Sequence, residues 1–254
     1  MIKSSLCSVT FRKLKPEKII QLVSQAGLEA IEWGGDIHVP PDQQKQAKEI
    51  SLETKRNGLL VSEYGSYYVA GENNSNDLRK SILDTAEILE TNTVRVWAGN
   101  TGSAATKEEQ RRKIEDDLSI MVYLASERNL RIATEFHQNT LTDTADSTIQ
   151  LLNHIPGLFT LWQPPEGWTD QQNLESLKCL NNRIANFHVY KLDSNRNRLP
   201  LSYGEREWTN WLSILDQEDI HRYATLEFVI NDDPEKFLED AGVLNKILEA
   251  IQVR

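Results

Sequence analysis

The feature that most restricts the fold of this chain is a regular alternation of short strand-like runs with segments of helical length. The alternation repeats eight times. The strand-like runs begin at Leu6, Ala30, Leu59, Thr93, Arg131, Phe159, Ile184 and Tyr223. Strands that alternate with helices in this way predict βαβ units and therefore a parallel sheet.

Eight such units in 254 residues predict a (β/α)8 TIM barrel. An open doubly wound sheet would more often contain about five or six strands. No glycine-rich GxGxxG motif follows the first strand-like run, which weakens a dinucleotide-binding interpretation. Barrels of this length are commonly one domain, and no linker-like stretch interrupts the sequence, so we expect a single domain over residues 1–254.

Charge and composition limit the partners. The formal net charge is −10, and the longest basic run is "RRK" at residues 111–113, which opposes binding to a nucleic-acid backbone. Apolar stretches are short, and Arg12 and Lys13 interrupt any signal-peptide core, so we expect a cytoplasmic protein without a membrane partner. Cys7 and Cys179 lack CxxC spacing and are expected to be reduced thiols. Self-association into a homo-oligomer is left open.

The fifth strand-like run, "RIATEFH", ends in two ionisable side chains. Glu135 and His137 are two residues apart, so in a strand they share one face with Ala133. A core strand would ordinarily carry apolar residues there. In a TIM barrel the chemistry lies at the carboxyl ends of the strands, where the βα loops converge. The end of this strand is therefore a candidate part of an active site.

Other strand-like runs also end in polar or aromatic side chains, which we expect to be the last residues of each strand that face into the barrel. These are Glu32 and Trp33, Tyr64, Arg95 and Trp97, Gln163, His188, and Glu227. Taken singly, a glutamate near a strand end is more often solvated or ion-paired than catalytic. Four consecutive strands, however, end in Glu135, Gln163, His188 and Glu227. Oxygen and imidazole donors facing one another suit one divalent ion, namely Mn²⁺, Mg²⁺, Co²⁺ or Zn²⁺.

The segments "IEWGGDIHVP", "EFH", "WQP", "FHV" and "LEF" make the chain resemble the sugar and sugar phosphate isomerases and epimerases of the xylose isomerase-like TIM barrel superfamily. The resemblance covers nearly the whole chain. It implies a divalent metal bound by Glu, Asp, His and Glu on four successive strands. By position these are Glu135, Gln163, His188 and Glu227. Gln163 departs from the pattern, since it offers a neutral amide oxygen where the family has a carboxylate.

The resemblance also implies a reaction. Isomerisation or epimerisation of a ketose removes a proton next to a carbonyl and returns it elsewhere, and a metal stabilises the enediolate between the two steps. Glu135 and Glu227 are the expected proton-transfer pair. Contacts to a small sugar substrate are expected from His137, Arg95, Trp33, Trp97 and His38. Packing in the barrel is the competing role for the tryptophans, and a surface position is the competing role for His38.

Three other functions stay open or are disfavoured. A lyase that dehydrates a keto-polyol or a cyclic hydroxy-ketone would use the same metal and carboxylates. A non-catalytic sugar-binding barrel is a second alternative, because Gln163 weakens the predicted metal site. An apurinic endonuclease is disfavoured, since it needs a trinuclear zinc cluster with more ligands than five scattered histidines supply, and a basic face.

Overall fold

The computed structural model describes residues 1–72, 74–215 and 220–252. Within these residues, eight parallel strands close into a barrel in which neighbours follow chain order and the last strand pairs with the first. The barrel strands are β1 (Ile2–Cys7), β2 (Ala30–Gly34), β3 (Leu60–Val69), β4 (Thr93–Trp97), β5 (Arg131–Glu135), β6 (Leu158–Trp162), β7 (Ile184–Val189) and β10 (Arg222–Leu226). A short antiparallel hairpin, β8 (Lys191–Leu192) and β9 (Arg198–Leu199), follows β7. The predicted fold class is confirmed.

Helices separate the strands and cover the barrel. They are α1 (Pro16–Gln25), α2 (Gln44–Arg56), α3 (Asn76–Ile88), α4 (Glu108–Ser126), α5 (Ala145–His154), α6 (Asp170–Leu180), α7 (Glu205–Ser213) and α8 (Pro234–Gln252). Local sequence fixes several starts: Ser75 caps α3, and Thr169 with Gln172 forms a capping box at α6. None of the helices in the described ranges combines the length and apolar character needed to cross a membrane.

The first strand lies earlier than its sequence pattern predicts. The apolar run begins at Leu6, whereas β1 occupies Ile2–Cys7 and the next residues, Ser8–Phe11, form a 3₁₀ turn. The reason is that Ser5 is buried inside the barrel, where its hydroxyl lies 2.8 Å from that of Ser62 on β3. Two hydroxyls that bond each other satisfy their polar groups without water. A count of apolar residues therefore misses this part of the strand.

Strand β3 is irregular, and this changes which of its side chains face inward. The pairing register shifts between Ile31 and Glu32 on β2, and as a result Glu63 lies opposite Glu32. Glu63 accepts a hydrogen bond from Asn186 on β7, which is not a neighbouring strand, so the two side chains meet inside the barrel. Tyr64 instead donates to the carbonyl of Val39 at 2.8 Å. The expectation that Tyr64 is the inward residue of this strand is wrong.

Candidate active site

The carboxyl ends of the barrel strands bring together a group of polar side chains that we call the strand-end cluster. Its members lie on, or directly after, β2, β4, β5, β6, β7 and β10. They are Glu32, Arg95, Trp97, Glu135, Gln163, His188 and Glu227. Apart from Trp97, which is partly exposed, all of them are buried. The four predicted metal ligands form two contacting pairs at this end of the barrel, Glu135 with Gln163 and His188 with Glu227, as expected for successive strand ends.

Glu135 is fixed by donors on three sides. Its Oε2 accepts from Arg95 Nη1 at 2.7 Å and from Trp97 Nε1 at 2.6 Å, and its Oε1 accepts from Gln163 Nε2 at 3.1 Å. Burial alone would raise the pKa of Glu135, but the nearby Arg95 and His188 hold it below its ordinary value. The side chain is therefore a well-anchored carboxylate.

His188 lies between two carboxylates. Its Nε2 is 2.7 Å from Glu32 Oε2, and its Nδ1 is 3.2 Å from Glu227 Oε2 without the orientation of a hydrogen bond. Burial lowers the pKa of a histidine, yet Glu227 and Glu32 raise that of His188 well above its ordinary value. The imidazole is therefore held in a strongly negative environment.

Arg95 joins the two sides of the cluster. Besides Glu135, it donates from Nε and Nη2 to Glu32 Oε1, at 3.4 and 3.3 Å. Burial would raise the pKa of Glu32, but His188 and Arg95 lower it to about 2. Because Arg95 is 2 % exposed and its donors are engaged, its position is that of a structural cation. The predicted contact of Arg95 with substrate has no support in this arrangement.

Three buried atoms of the predicted metal ligands, each able to coordinate a metal, lack a hydrogen-bond partner among the described residues. They are Gln163 Oε1, His188 Nδ1 and Glu227 Oε2. Leaving buried polar atoms unsatisfied is costly, on the order of 1–3 kcal/mol each. A divalent cation would satisfy oxygen and imidazole atoms of this kind. Gln163, His188 and Glu227 therefore each offer an atom that fits a cation. Glu135 fits less well, because its oxygens already accept from Arg95, Trp97 and Gln163, and because the ligand atoms of Glu135, His188 and Glu227 do not all lie within 4.8 Å of one another.

A second group of donors overlaps with this one. The ligand atoms of Cys7, Glu32 and His188 all lie within 4.8 Å of one another. Burial and then Glu32 raise the pKa of the Cys7 thiol, which disfavours the thiolate that metals bind. Glu32 is also already bonded to Arg95 and His188. This group is therefore less suited to a cation than the predicted set.

His137 lies just beyond β5 at the rim of the cluster. Its ring stacks on Trp97 with centroids 5.6 Å apart and planes 13° from parallel. Its Nδ1 is 2.6 Å from the carbonyl oxygen of Gln138. A carbonyl can only accept, so Nδ1 carries the hydrogen, and in the neutral ring Nε2 keeps a lone pair. His137 is thus arranged as a proton acceptor.

The structure does not bring Trp33 and His38 into the cluster. Trp33 is fully buried, and its ring packs edge-on against that of His38. His38 is also buried, with Nδ1 3.0 Å from the hydroxyl of Ser8 and Nε2 3.3 Å from the carbonyl of Leu14. Burial lowers the pKa of His38. Both residues pack between β2 and the segment after β1. This packing leaves their predicted contacts with a substrate without support.

Some residues near the site were not identified from sequence. Tyr67 has a φ of 57° within an irregular stretch of β3, and its ring lies 5.2 Å from the Arg95 guanidinium and 5.8 Å from the Trp97 ring. Strained backbone of this kind is often found at functional sites. The position of Tyr67 depends on a register shift that no local pattern announces. Cys7 and Glu63 were missed for a similar reason, because the pairing register of β1 and β3 with β2 places both of them opposite Glu32.

A cavity of about 410 Å³ is lined mainly by the segments that follow β6 and β7 and by α7, and small-molecule pockets are commonly ~300–1,000 Å³. Its lining includes Gln138, which follows His137, and Pro164, which follows Gln163. Trp168, Tyr190 and Lys191 also line it. Its lining includes neither His137 nor any side chain of the strand-end cluster, so the cavity adjoins the cluster only through residues that follow its members along the chain.

The sequence pattern of the xylose isomerase-like TIM barrel family matches residues 20–247, so the chain belongs to that family. A 3-dehydroshikimate dehydratase of Bacillus anthracis is 29% identical in an alignment of 167 positions that covers 61% of this chain and 58% of that protein. The match thus spans less than two thirds of that relative.

Solved structures agree on the fold. A probable 3-DHS dehydratase of Bacillus anthracis superposes with a TM-score of 0.80 at 20% identity, covering 96% of this chain and 99% of that one. D-psicose 3-epimerase of Clostridium cellulolyticum H10 gives 0.70 at 12% identity, covering 98% and 99%. At these identities the two structures show the shared barrel architecture.

Proposed function

We propose that this chain is a divalent-metal-dependent lyase that removes water from a small cyclic hydroxy-ketone of the 3-dehydroshikimate type. The observation that carries the proposal is the inequality of the two carboxylates, Glu135 and Glu227. Glu135 is anchored by three donors, whereas Glu227 Oε2 has no hydrogen-bond partner among the described residues.

That inequality favours elimination over epimerisation. An epimerase needs two groups of similar freedom on opposite faces of the substrate, one to remove a proton and one to return it. The lowered pKa and three hydrogen bonds of Glu135 make it a weak base. Loss of water from a hydroxy-ketone breaks the C–H bond next to the carbonyl and the C–O bond of the following carbon, with a C=C bond formed between them. One base is enough, because the proton that it takes from carbon can be given to the departing hydroxide, which leaves as water. His137 supplies that single base.

Each side chain has a stated part in this proposal. Glu135, Gln163, His188 and Glu227 would hold the divalent ion, which supplies positive charge to the carbonyl oxygen when bound. His137 Nε2 accepts the proton from carbon, because its Nδ1 is committed to the carbonyl of Gln138. Trp97 holds both partners, since it donates to Glu135 and stacks on His137.

The substrate class is taken from the relative in Bacillus anthracis named for 3-dehydroshikimate. That compound is a cyclic ketone with neighbouring hydroxyls, so loss of water followed by tautomerisation gives an aromatic ring. The 410 Å³ cavity, which is lined by Gln138, the residue after His137, is of a size that suits it. An epimerase is the second candidate function, because Glu135 and Glu227 belong to the same strand-end cluster.

The test is an assay of the purified protein with 3-dehydroshikimate and each of Mn²⁺, Mg²⁺, Co²⁺ and Zn²⁺, following the ultraviolet absorbance of an aromatic product. We expect product formation that depends on the metal, and a loss of about 10²- to 10⁴-fold in His137→Ala, as for removal of a general base. His154→Ala is the matched control, because that histidine lies on the exposed side of α5 near Glu115.

A parallel ketose panel in D₂O tests the epimerase. Conversion of a ketose with deuterium entering next to the carbonyl, together with no reaction of 3-dehydroshikimate, would refute the lyase. In that case Glu135→Gln and Glu227→Gln should both abolish exchange.

A further inference from the structure

Glu32 has no part in the proposed reaction, yet it is fully buried against a proposed ligand. It lies on β2, and its Oε2 is 2.7 Å from Nε2 of His188 on β7, so the contact crosses the barrel interior. We infer that Glu32 is a positioning residue that keeps the His188 proton on Nε2 and so leaves the Nδ1 lone pair for the divalent cation. The inference rests on the cation site of the proposed function.

Hydrogen-bond geometry defines the role. The other oxygen of Glu32 accepts from Arg95 at 3.3 and 3.4 Å, so both carboxylate oxygens face donors. A carboxylate held in this way can only accept from the imidazole, and Nε2 must therefore carry the hydrogen. Nδ1 is left near Glu227 Oε2, with both atoms lacking a hydrogen-bond partner among the described residues. Histidines that bind metals usually donate from the far nitrogen to such a group.

The surrounding strands are shaped to hold Glu32 in this position. Arg95 bonds both Glu32 and Glu135, and it thereby ties the orientation of His188 to the carboxylate on the other side of the cluster. Gly65 on β3 leaves the necessary space, because a Cβ there would lie 2.6 Å from Arg95 Nη2 and 2.8 Å from Glu32 Oε1. Glu32 is thus held by an arrangement of residues from five strands, β2, β3, β4, β5 and β7.

The decisive variant is Glu32→Gln, which keeps size and shape. Arg95 can only donate, so the amide oxygen should face it, and the amide NH₂ should then face His188 Nε2. The ring proton should move to Nδ1, toward Glu227 and into the place of the cation. We expect Mn²⁺ affinity, measured by calorimetry, to fall by roughly 10- to 100-fold.

A second measurement is independent of metal binding and of activity. Nitrogen-15 imidazole spectra of the metal-free protein, at a pH that leaves one proton on the ring, should show His188 protonated at Nε2 in the wild type and at Nδ1 in Glu32→Gln. The matched control is Glu63→Gln, the buried register partner of Glu32 on β3. Its amide oxygen can still accept from Asn186, so both readouts should be unchanged.

The outcomes separate this inference from the proposed cation site. A wild-type spectrum with the proton on Nδ1 would refute the role of Glu32, whether or not the variant folds. Unchanged Mn²⁺ affinity in a folded Glu32→Gln protein would refute it as well. If the proton switches between nitrogens but the wild type binds no Mn²⁺, the positioning role stands and the cation site is wrong.

Discussion

Gln163 is the residue at which this chain departs from the ligand pattern of the family it resembles. It donates from Nε2 to Glu135 Oε1 at 3.1 Å and leaves Oε1 buried without a hydrogen-bond partner among the described residues. A neutral amide at this place has two effects. It stabilises the anchored carboxylate of Glu135 when no cation is bound, and it lowers the negative charge offered to a cation.

The Gln163→Glu variant tests both effects, because glutamate has nearly the same size as glutamine but carries a negative charge. The metal-free variant should unfold at a lower temperature, because two buried carboxylates then repel each other and a hydrogen bond is lost. Divalent-ion affinity should rise by on the order of tenfold, because one further charge faces the dication. Thermal unfolding with and without Mn²⁺ measures both effects, since a ligand of the folded state raises the midpoint. A fall in the midpoint that added Mn²⁺ does not reverse would contradict the ligand role.

Side-chain identity at the strand ends was predictable, but the pairing of those side chains was not. Glu135, Gln163, His188 and Glu227 follow directly from the strand-like runs, since strand ends converge in a barrel. The partners of Arg95 depend on the register shift beside Glu32, which brings side chains from β2, β4 and β5 together. Such contacts between distant segments leave no local pattern.

At the scale of elements, a buried ion pair joins α3, α4 and β3 on the outside of the barrel. Asp117 on α4 is 6% exposed and pairs with Arg79 on α3 at 2.6 Å. The same carboxylate accepts from Tyr68 on β3, and from Asn74 and the backbone of Gly71 at 2.8 Å. Although burial raises the pKa of Asp117, these hydrogen bonds lower it below its ordinary value. Asp117 thus connects the irregular end of β3 to two helices.

Asp117→Asn should destabilise the protein by about 3 kcal/mol or more at neutral pH, because it leaves the buried cation of Arg79 without its opposite charge. A pKa lowered by folding gives stability that is present above the unfolded value, about 3.9, and is lost as the pH falls through the folded value. The difference between wild type and variant should therefore shrink below about pH 4. Denaturant midpoints at pH 7 and pH 3 measure it. Asp116→Asn, at an exposed position on the same helix, is the control and should change little.

Elements were easier to predict than their irregularities. Alternation of strand and helix periods gives the order of the barrel elements correctly, because each unit must bury its apolar face against the sheet. The ten residues of β3 and the early start of β1 were not predicted. Both depend on buried polar groups, Glu63 in one and Ser5 in the other, whose partners lie on other strands.

At the scale of the whole molecule, charge separates the proposed enzyme from nucleic-acid enzymes that use a similar fold. A shared barrel does not establish a shared substrate. The chain carries 38 acidic and 28 basic residues. Many basic side chains are paired with carboxylates, as Arg128 is with Asp84 and Lys55 is with Glu90. Basic side chains that are paired with carboxylates attract the phosphates of a nucleic-acid backbone only weakly.

We therefore expect neither binding nor cleavage of a DNA duplex that contains an abasic site. The measurement is a gel shift at low salt, where binding to phosphates is strongest, with a cleavage assay in Mn²⁺, Mg²⁺ or Zn²⁺. A duplex of the same sequence without the abasic site serves as the control. Retention that weakens as salt increases, or a strand break confined to the abasic duplex, would contradict the charge argument and restore the endonuclease. If neither binding nor cleavage is seen, and the same preparation dehydrates 3-dehydroshikimate, the substrate of this barrel is a small molecule and not a nucleic acid.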